Sequence, residues 1–239
     1  IWHVIFARSS RHRTIASTGM IRNASQQTVR RERLGKIADV LVRAMPKAKM
    51  ELDHHTPWEL LVATILSAQC TDERVNKVTP GLFRRYHSPA ELGRAAQREV
   101  EELIRSTGFF KSKAKNIIAC SRAVEERFHG KVPATMEELV ELPGVGRKTA
   151  NVMLGTAFGK PAIVVDTHVK RVANRLDLTT SDDPTRVEDD LQQLLPSARW
   201  TAVSQRLLLH GRYTCTARRP QCQRCPIYAY CTWKQKGAA

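Results

Sequence analysis

The sequence predicts an all-α protein, and three observations carry that expectation. Apolar residues recur at helical spacing, as at Leu34, Ile37, Val40, Leu41 and Met45. The periodic stretches open at Ser, Thr, Asp or Pro and close at Gly or Pro, the residues that start and stop helices. The only strand-like run is "AIVV" at 162–165, and it ends at Asp166, so it reads as an extended segment entering a helix.

Taken in order, "VRRERLGKIADVLVRAM" (29–45) is an amphipathic helix, followed by a linker over 46–57. "WELLVATILSAQC" (58–70) is apolar nearly all round, as a helix buried on most sides would be. Helix-length segments follow at 79–86, 88–108, 112–130 and 135–142. The last four span 146–159, 166–178, 184–196 and 198–213. There is no internal repeat and no low-complexity segment.

The formal charge of +16 implies a polyanionic partner, and its placement is informative. Residues 1–50 carry 11 Lys/Arg against 2 acids, and 205–239 carry 7 against none, while 51–204 balances at 21 against 21. Two basic ends that fold together would make one face suited to nucleic acid, with salt-sensitive binding. Residues 1–26 are expected to form a disordered or non-native basic tail outside the fold; an Arg- and Ser-rich organelle transit peptide is the alternative. No run of 18 apolar residues exists, so no membrane-spanning helix is expected.

Four of the six cysteines fall in "CTARRPQCQRCPIYAYC", as Cys215, Cys222, Cys225 and Cys231. In a signal-free basic chain such a cluster reads as a metal site rather than as disulfides. Thiolate tetrads hold either zinc or an iron–sulfur cluster, although a six-residue first gap is unusual for zinc. That gap carries Arg218 and Arg219, which a ligated loop would present outward as phosphate contacts. Cys70 and Cys120 are expected to be buried thiols in apolar helices.

"LPGVGRKTANVML" (142–154) places a Pro-Gly-x-Gly turn between two helices. Gly144 and Gly146 supply backbone conformations and a close approach that side chains would prevent, and the second helix begins near Arg147. With Val145, their backbone suits a DNA phosphate, in a helix-hairpin-helix pattern that grips without reading sequence. A plain helical hairpin is the bland alternative. Lys148 lies just inside the second helix, where the helix start repels a cation, so stability does not explain it. Asp166 opens "DTHVKRVANRL" as an N-cap; a carboxylate with an amine is a reasonable pair for Schiff-base chemistry, and capping alone is the simpler reading.

Taken together, "LSAQCTD", "TGFFKSKAKNI", "LPGVGRKTANV", "VDTHVKRVANR", "LHGRYTC" and the cysteine spacing resemble the endonuclease III family from about residue 27 to 235. These are bifunctional DNA glycosylase/AP-lyases of the helix-hairpin-helix superfamily. The resemblance implies two lobes: a six-helix barrel over 51–160, with the hairpin at about 136–158, and an iron–sulfur lobe from 27–50 plus 161–235. It implies a [4Fe–4S] cluster on Cys215, Cys222, Cys225 and Cys231, with Lys148 as nucleophile and Asp166 assisting. It matches Gln69 to the residue that fills the hole left by a flipped base. Phe109 matches the opposite wedge, where many relatives carry an aliphatic residue. Asp72 and His168 match supporting positions at the cleft. The function implied is base-excision repair of oxidised pyrimidines in double-stranded DNA, with AP-lyase activity at abasic sites. A monomer in a bacterial cytoplasm, near the nucleoid, is expected. The alternatives are an adenine-specific mismatch DNA glycosylase, which does not use a lysine at this position, and a non-catalytic DNA-binding metal-cluster protein.

Overall fold

A computed structural model describes residues 11–237, with side chains from residue 25 onward. Among the described residues there are eleven α-helices, several short 3₁₀ turns and no strand. They are α1 (Arg11–Ala44), α2 (Pro57–Leu66), α3 (Asp72–Arg85), α4 (Pro89–Gly93), α5 (Gln97–Ile104) and α6 (Phe110–Phe128). After these come α7 (Met136–Val140), α8 (Arg147–Val152), α9 (Thr167–Arg175), α10 (Pro184–Leu194) and α11 (Trp200–Tyr213). Side-chain oxygens cap six helix starts: Thr56, Thr71, Ser88, Thr135, Asp166 and Asp183 each accept from a first-turn amide.

The apolar faces gather into two clusters. One is built from α2 to α8, with Leu60, Leu61, Leu66, Leu82, Ile117 and Leu139 buried. The other joins α1 to α9, α10, α11 and the cysteine hairpin, around Leu34, Ile37, Leu41, Val169, Val172 and Leu207. The "AIVV" run passes between them in extended form. Ala162 and Val164 pack into or against the first cluster, and Ile163 and Val165 lie in the second. Side chains that alternate across an extended backbone explain why the run looks like a strand although it pairs with none.

Several boundaries differ from expectation. α1 continues as helix through 11–26, part of the segment expected to be a disordered tail; residues 1–10 of that tail lie outside the described residues. α1 is held by Arg30 Nη2, which donates to Asp177 Oδ1 at 2.8 Å. α3 begins at Asp72 and runs through Pro80, and the 88–108 segment divides into α4 and α5. α2 stops at Leu66, short of the expected 58–70, because Thr71 caps the next helix and Thr64 and Ser67 hydroxyls donate back to Leu60 O and Thr64 O. Cys70 is therefore half-buried in a turn rather than buried in a helix, whereas Cys120 is buried in α6 as expected.

Candidate active site

The Pro-Gly-x-Gly turn connects α7 to α8, and its two glycines differ in kind. Gly144 has φ +77°, and a Cβ there would lie 2.9 Å from Asn116 Cβ on α6, so both conformation and space require glycine. Gly146 is extended, and a Cβ would meet nothing within 4 Å, so the fold itself does not demand glycine there. The Val145 amide donates to Leu142 O at 3.0 Å and closes the turn, and its side chain is only 6% exposed. Among the described residues the amides of Gly144 and Gly146 have no protein acceptor.

Arg147 is not free. Its Nε and Nη2 each donate at 2.9 Å to Glu188 of α10, a carboxylate 3% exposed. Asn151 Nδ2 (3.0 Å) and Gln192 Nε2 (3.2 Å) complete the cluster around it. The Glu188 hydrogen bonds push the Arg147 pKa up, and the pair ties the hairpin to the second apolar cluster.

Lys148, the next residue, is exposed, and among the described residues its Nζ has no hydrogen-bond or ion-pair partner. It lines an open cleft, and Asp166 lines the same cleft from the far end of the extended segment. Asp166 Oδ1 accepts from His168 N (2.9 Å) and Val169 N (2.8 Å), which caps α9. Both bonds fall on one oxygen, so Oδ2 is left to the cleft. The cap reading and the active-site reading of Asp166 are therefore compatible.

Asp72 and Arg212 also line the cleft. Arg212 Nη1 donates to Glu51 Oε2 and to Asp72 Oδ2, and Tyr213 Oη donates to Glu51 Oε1 at 2.6 Å. Burial works against the Arg212 charge, but Asp72 and Glu51 outweigh it and the pKa rises. His168 Nδ1 lies 3.2 Å from Arg171 Nη2, and burial lowers its pKa. These groups brace the cleft wall.

Gln69 and Phe109 sit in two separate loops and share an unusual backbone: both are non-glycine residues in the left-handed region, at φ +52° and +48°. Both are exposed, Phe109 by 65%. Such strain is tolerated where a side chain must be aimed.

Cys215, Cys222, Cys225 and Cys231 line one common pocket under α9 and α11, with no disulfide among them. No group of three His, Cys, Asp or Glu among the described residues is gathered as for a single ion. Four thiols spread around one pocket suit a polynuclear cluster with one thiolate per iron. Burial above all pushes the Cys225 thiol up to about 11, and the other three cysteines add to it. Four thiolates here need the compensating charge that iron supplies. Arg175 Nη1 lies 3.2 Å from Cys215 Sγ, and its guanidinium stacks 4.0 Å above the Trp233 ring. The same side chain donates to Thr216 O (2.8 Å) and Ala217 O (2.9 Å), immediately before Arg218 and Arg219, which are both exposed.

Sequence reasoning missed the Arg147–Glu188 cluster, the Arg212 bridge and Arg175. Each partner lies 40 or more residues away along the chain, where no spacing rule reaches.

A glycine hairpin beside an amine and a carboxylate in an all-helical body defines a class, and the sequence profile of the HhH-GPD superfamily base excision DNA repair proteins matches residues 62–197. The profile of the iron-sulfur binding domain of endonuclease III matches residues 215–231. The chain is 52% identical to Endonuclease III of Synechocystis, over 84% of this chain and 93% of that protein. It is 44% identical to Endonuclease III of Escherichia coli K12, over 80% and 90%. A non-covalent Endonuclease III–DNA complex superposes with a TM-score of 0.81 at 43% identity, covering 84% of this chain and 95% of that one. The chain belongs to the endonuclease III family of base excision DNA repair enzymes, and residues 215–231 are its iron–sulfur binding domain, the part that carries a [4Fe–4S] cluster. A thermostable thymine-DNA glycosylase shares the fold at 21% identity and a TM-score of 0.77.

Proposed function

We propose that this chain removes oxidised pyrimidines from duplex DNA and cuts the resulting abasic site, with Lys148 as nucleophile and Asp166 as its partner. The observation that carries the reading is the cleft: an unpartnered amine and a carboxylate with one free oxygen line it together. An endonuclease III relative whose solved form is a trapped covalent intermediate with DNA supports it, at 43% identity.

The damaged nucleotide is turned out of the duplex, which selects bases that stack poorly. Gln69 and Phe109 enter the space it leaves. The Lys148 amine attacks C1′ of the sugar, and the base departs with the bonding electrons and the proton that the amine gives up; the C1′–O4′ bond then opens, O4′ takes a proton from water, and a protonated imine joins Nζ to C1′. Asp166 Oδ2 offsets the positive charge that develops on the sugar. The imine acidifies C2′–H; loss of that proton expels the 3′ phosphate by β-elimination, and water releases the amine. The free amides of Gly144 and Gly146, with the Val145 side chain fixing the turn, and the exposed Arg218 and Arg219 contact phosphates. No step uses the cluster; its thiolate ligands hold the hairpin that presents the two arginines. The setting is a monomer at the nucleoid of a bacterial cytoplasm, in line with its bacterial relatives. No helix among the described residues is long and apolar enough to cross a membrane.

A duplex with a single thymine glycol tests the reading. Free base is released and the strand is cut 3′ to the lesion, and Lys148→Ala binds the duplex but does neither. Release of adenine opposite 8-oxoguanine with thymine glycol untouched, or binding without any release, would overturn it.

A further inference from the structure

We infer that Lys113 is a positioning residue that holds the loop carrying Phe109 in place; this rests on the assignment of that side chain to the space left by the flipped base. Lys113 lies on α6 and is only 4% exposed. A buried ammonium has three donors to place, and among the described residues it has one protein acceptor, Thr107 O at 2.7 Å. That carbonyl lies two residues before Phe109, in the turn where Gly108 and Phe109 both adopt positive φ.

The same residue grips the turn a second time through its backbone. Lys113 N donates to Phe109 O at 3.0 Å, where Ser112 Oγ also donates at 2.9 Å. The side-chain ammonium and the backbone amide of one residue thus fix the carbonyls on either side of the strained pair. The 3₁₀ turn Arg105–Thr107 packs on α3, the helix that starts just after Cys70.

Stability alone does not explain a cation here. An ammonium buried with one carbonyl and no carboxylate to balance its charge costs free energy rather than supplying it. Its hold on a turn whose exposed Phe109 has left-handed backbone is what a positioning role requires, because a small misplacement far from the reacting atoms lowers rate steeply.

The test uses the full-length, iron-loaded protein and a thymine glycol duplex with 2-aminopurine opposite the lesion, a base that fluoresces when unstacked. Lys113→Met is expected to keep its iron absorbance and thermal unfolding, to weaken the fluorescence rise and to lower kcat roughly 10- to 100-fold, with a smaller change in KM. Lys113→Arg, which keeps a buried donor, recovers most of the loss; Lys113→Leu is the second apolar variant should the Met form fold poorly. Adding Lys113→Met to Phe109→Ala costs little further, because both act through one loop. Normal fluorescence and rate in the apolar variants, or losses that multiply in the double variant, would overturn the inference. Normal fluorescence in Phe109→Ala would instead sink the loop assignment, and the inference with it.

Discussion

Asp166 divides two tasks between its two carboxylate oxygens. Oδ1 satisfies the first amides of α9, and Oδ2 is left for charge that develops in the cleft. Asparagine caps a helix as well as aspartate does, so Asp166→Asn should change stability by under about 0.5 kcal/mol. It should nevertheless slow single-turnover base release by about 100-fold, as loss of a preorganised charge does. Asp166→Ala adds the loss of the cap, about 1 kcal/mol, read as a lower melting temperature. Lys148 and Asp166 were legible from sequence because each carries a local signal, a cation at a helix start and a carboxylate just before one. The left-handed backbone at Gln69 and Phe109 carried none, since neither residue is the glycine or asparagine that usually marks it.

The helical hairpin is an element held from outside. Its turn needs Gly144 for the protein, and Gly146 is open to whatever approaches. Gly144→Ala should therefore destabilise the fold by about 1–3 kcal/mol, through a strained backbone and the clash with Asn116. Gly146→Ala should leave unfolding unchanged but weaken binding to a duplex with an abasic analogue, measured by titration. If Gly146→Ala binds as the wild type does, phosphate does not approach that glycine. Sequence alone treats the two glycines alike, because what distinguishes them is a neighbour on α6. Glu188, between Arg147 and Asn151, locks α8 to α10. Glu188→Ala leaves the half-exposed Arg147 guanidinium to solvent but strips buried Asn151 of its acceptor, and should cost about 1–2 kcal/mol in chemical denaturation. The motif named Arg147 as part of the turn, but its partner 41 residues on could be found only in the fold.

At the scale of the molecule, charge and chemistry come from different parts of the chain. The acid-poor ends, read from composition, meet in the cluster that joins α1 to the C-terminal hairpin, while the amine comes from α8. Fold class and helix order were readable because most helices announce their own caps. The convergence of 148 and 166 on one cleft was implied only by resemblance, since it depends on how the extended segment 161–166 shares its side chains between two cores. The affinity for damaged duplex should fall steeply with salt, and replacing Arg218 or Arg219 should each reduce the slope by about one counterion. The central claim is that Lys148 joins covalently to the sugar of a damaged nucleotide. Borohydride added during reaction with thymine glycol duplex reduces an imine to a permanent amine, and mass spectrometry of the digested complex locates the attachment. The expected result is a cross-link on Lys148 that Lys148→Ala does not form. A cross-link on another residue, or none while base is still released, would contradict it.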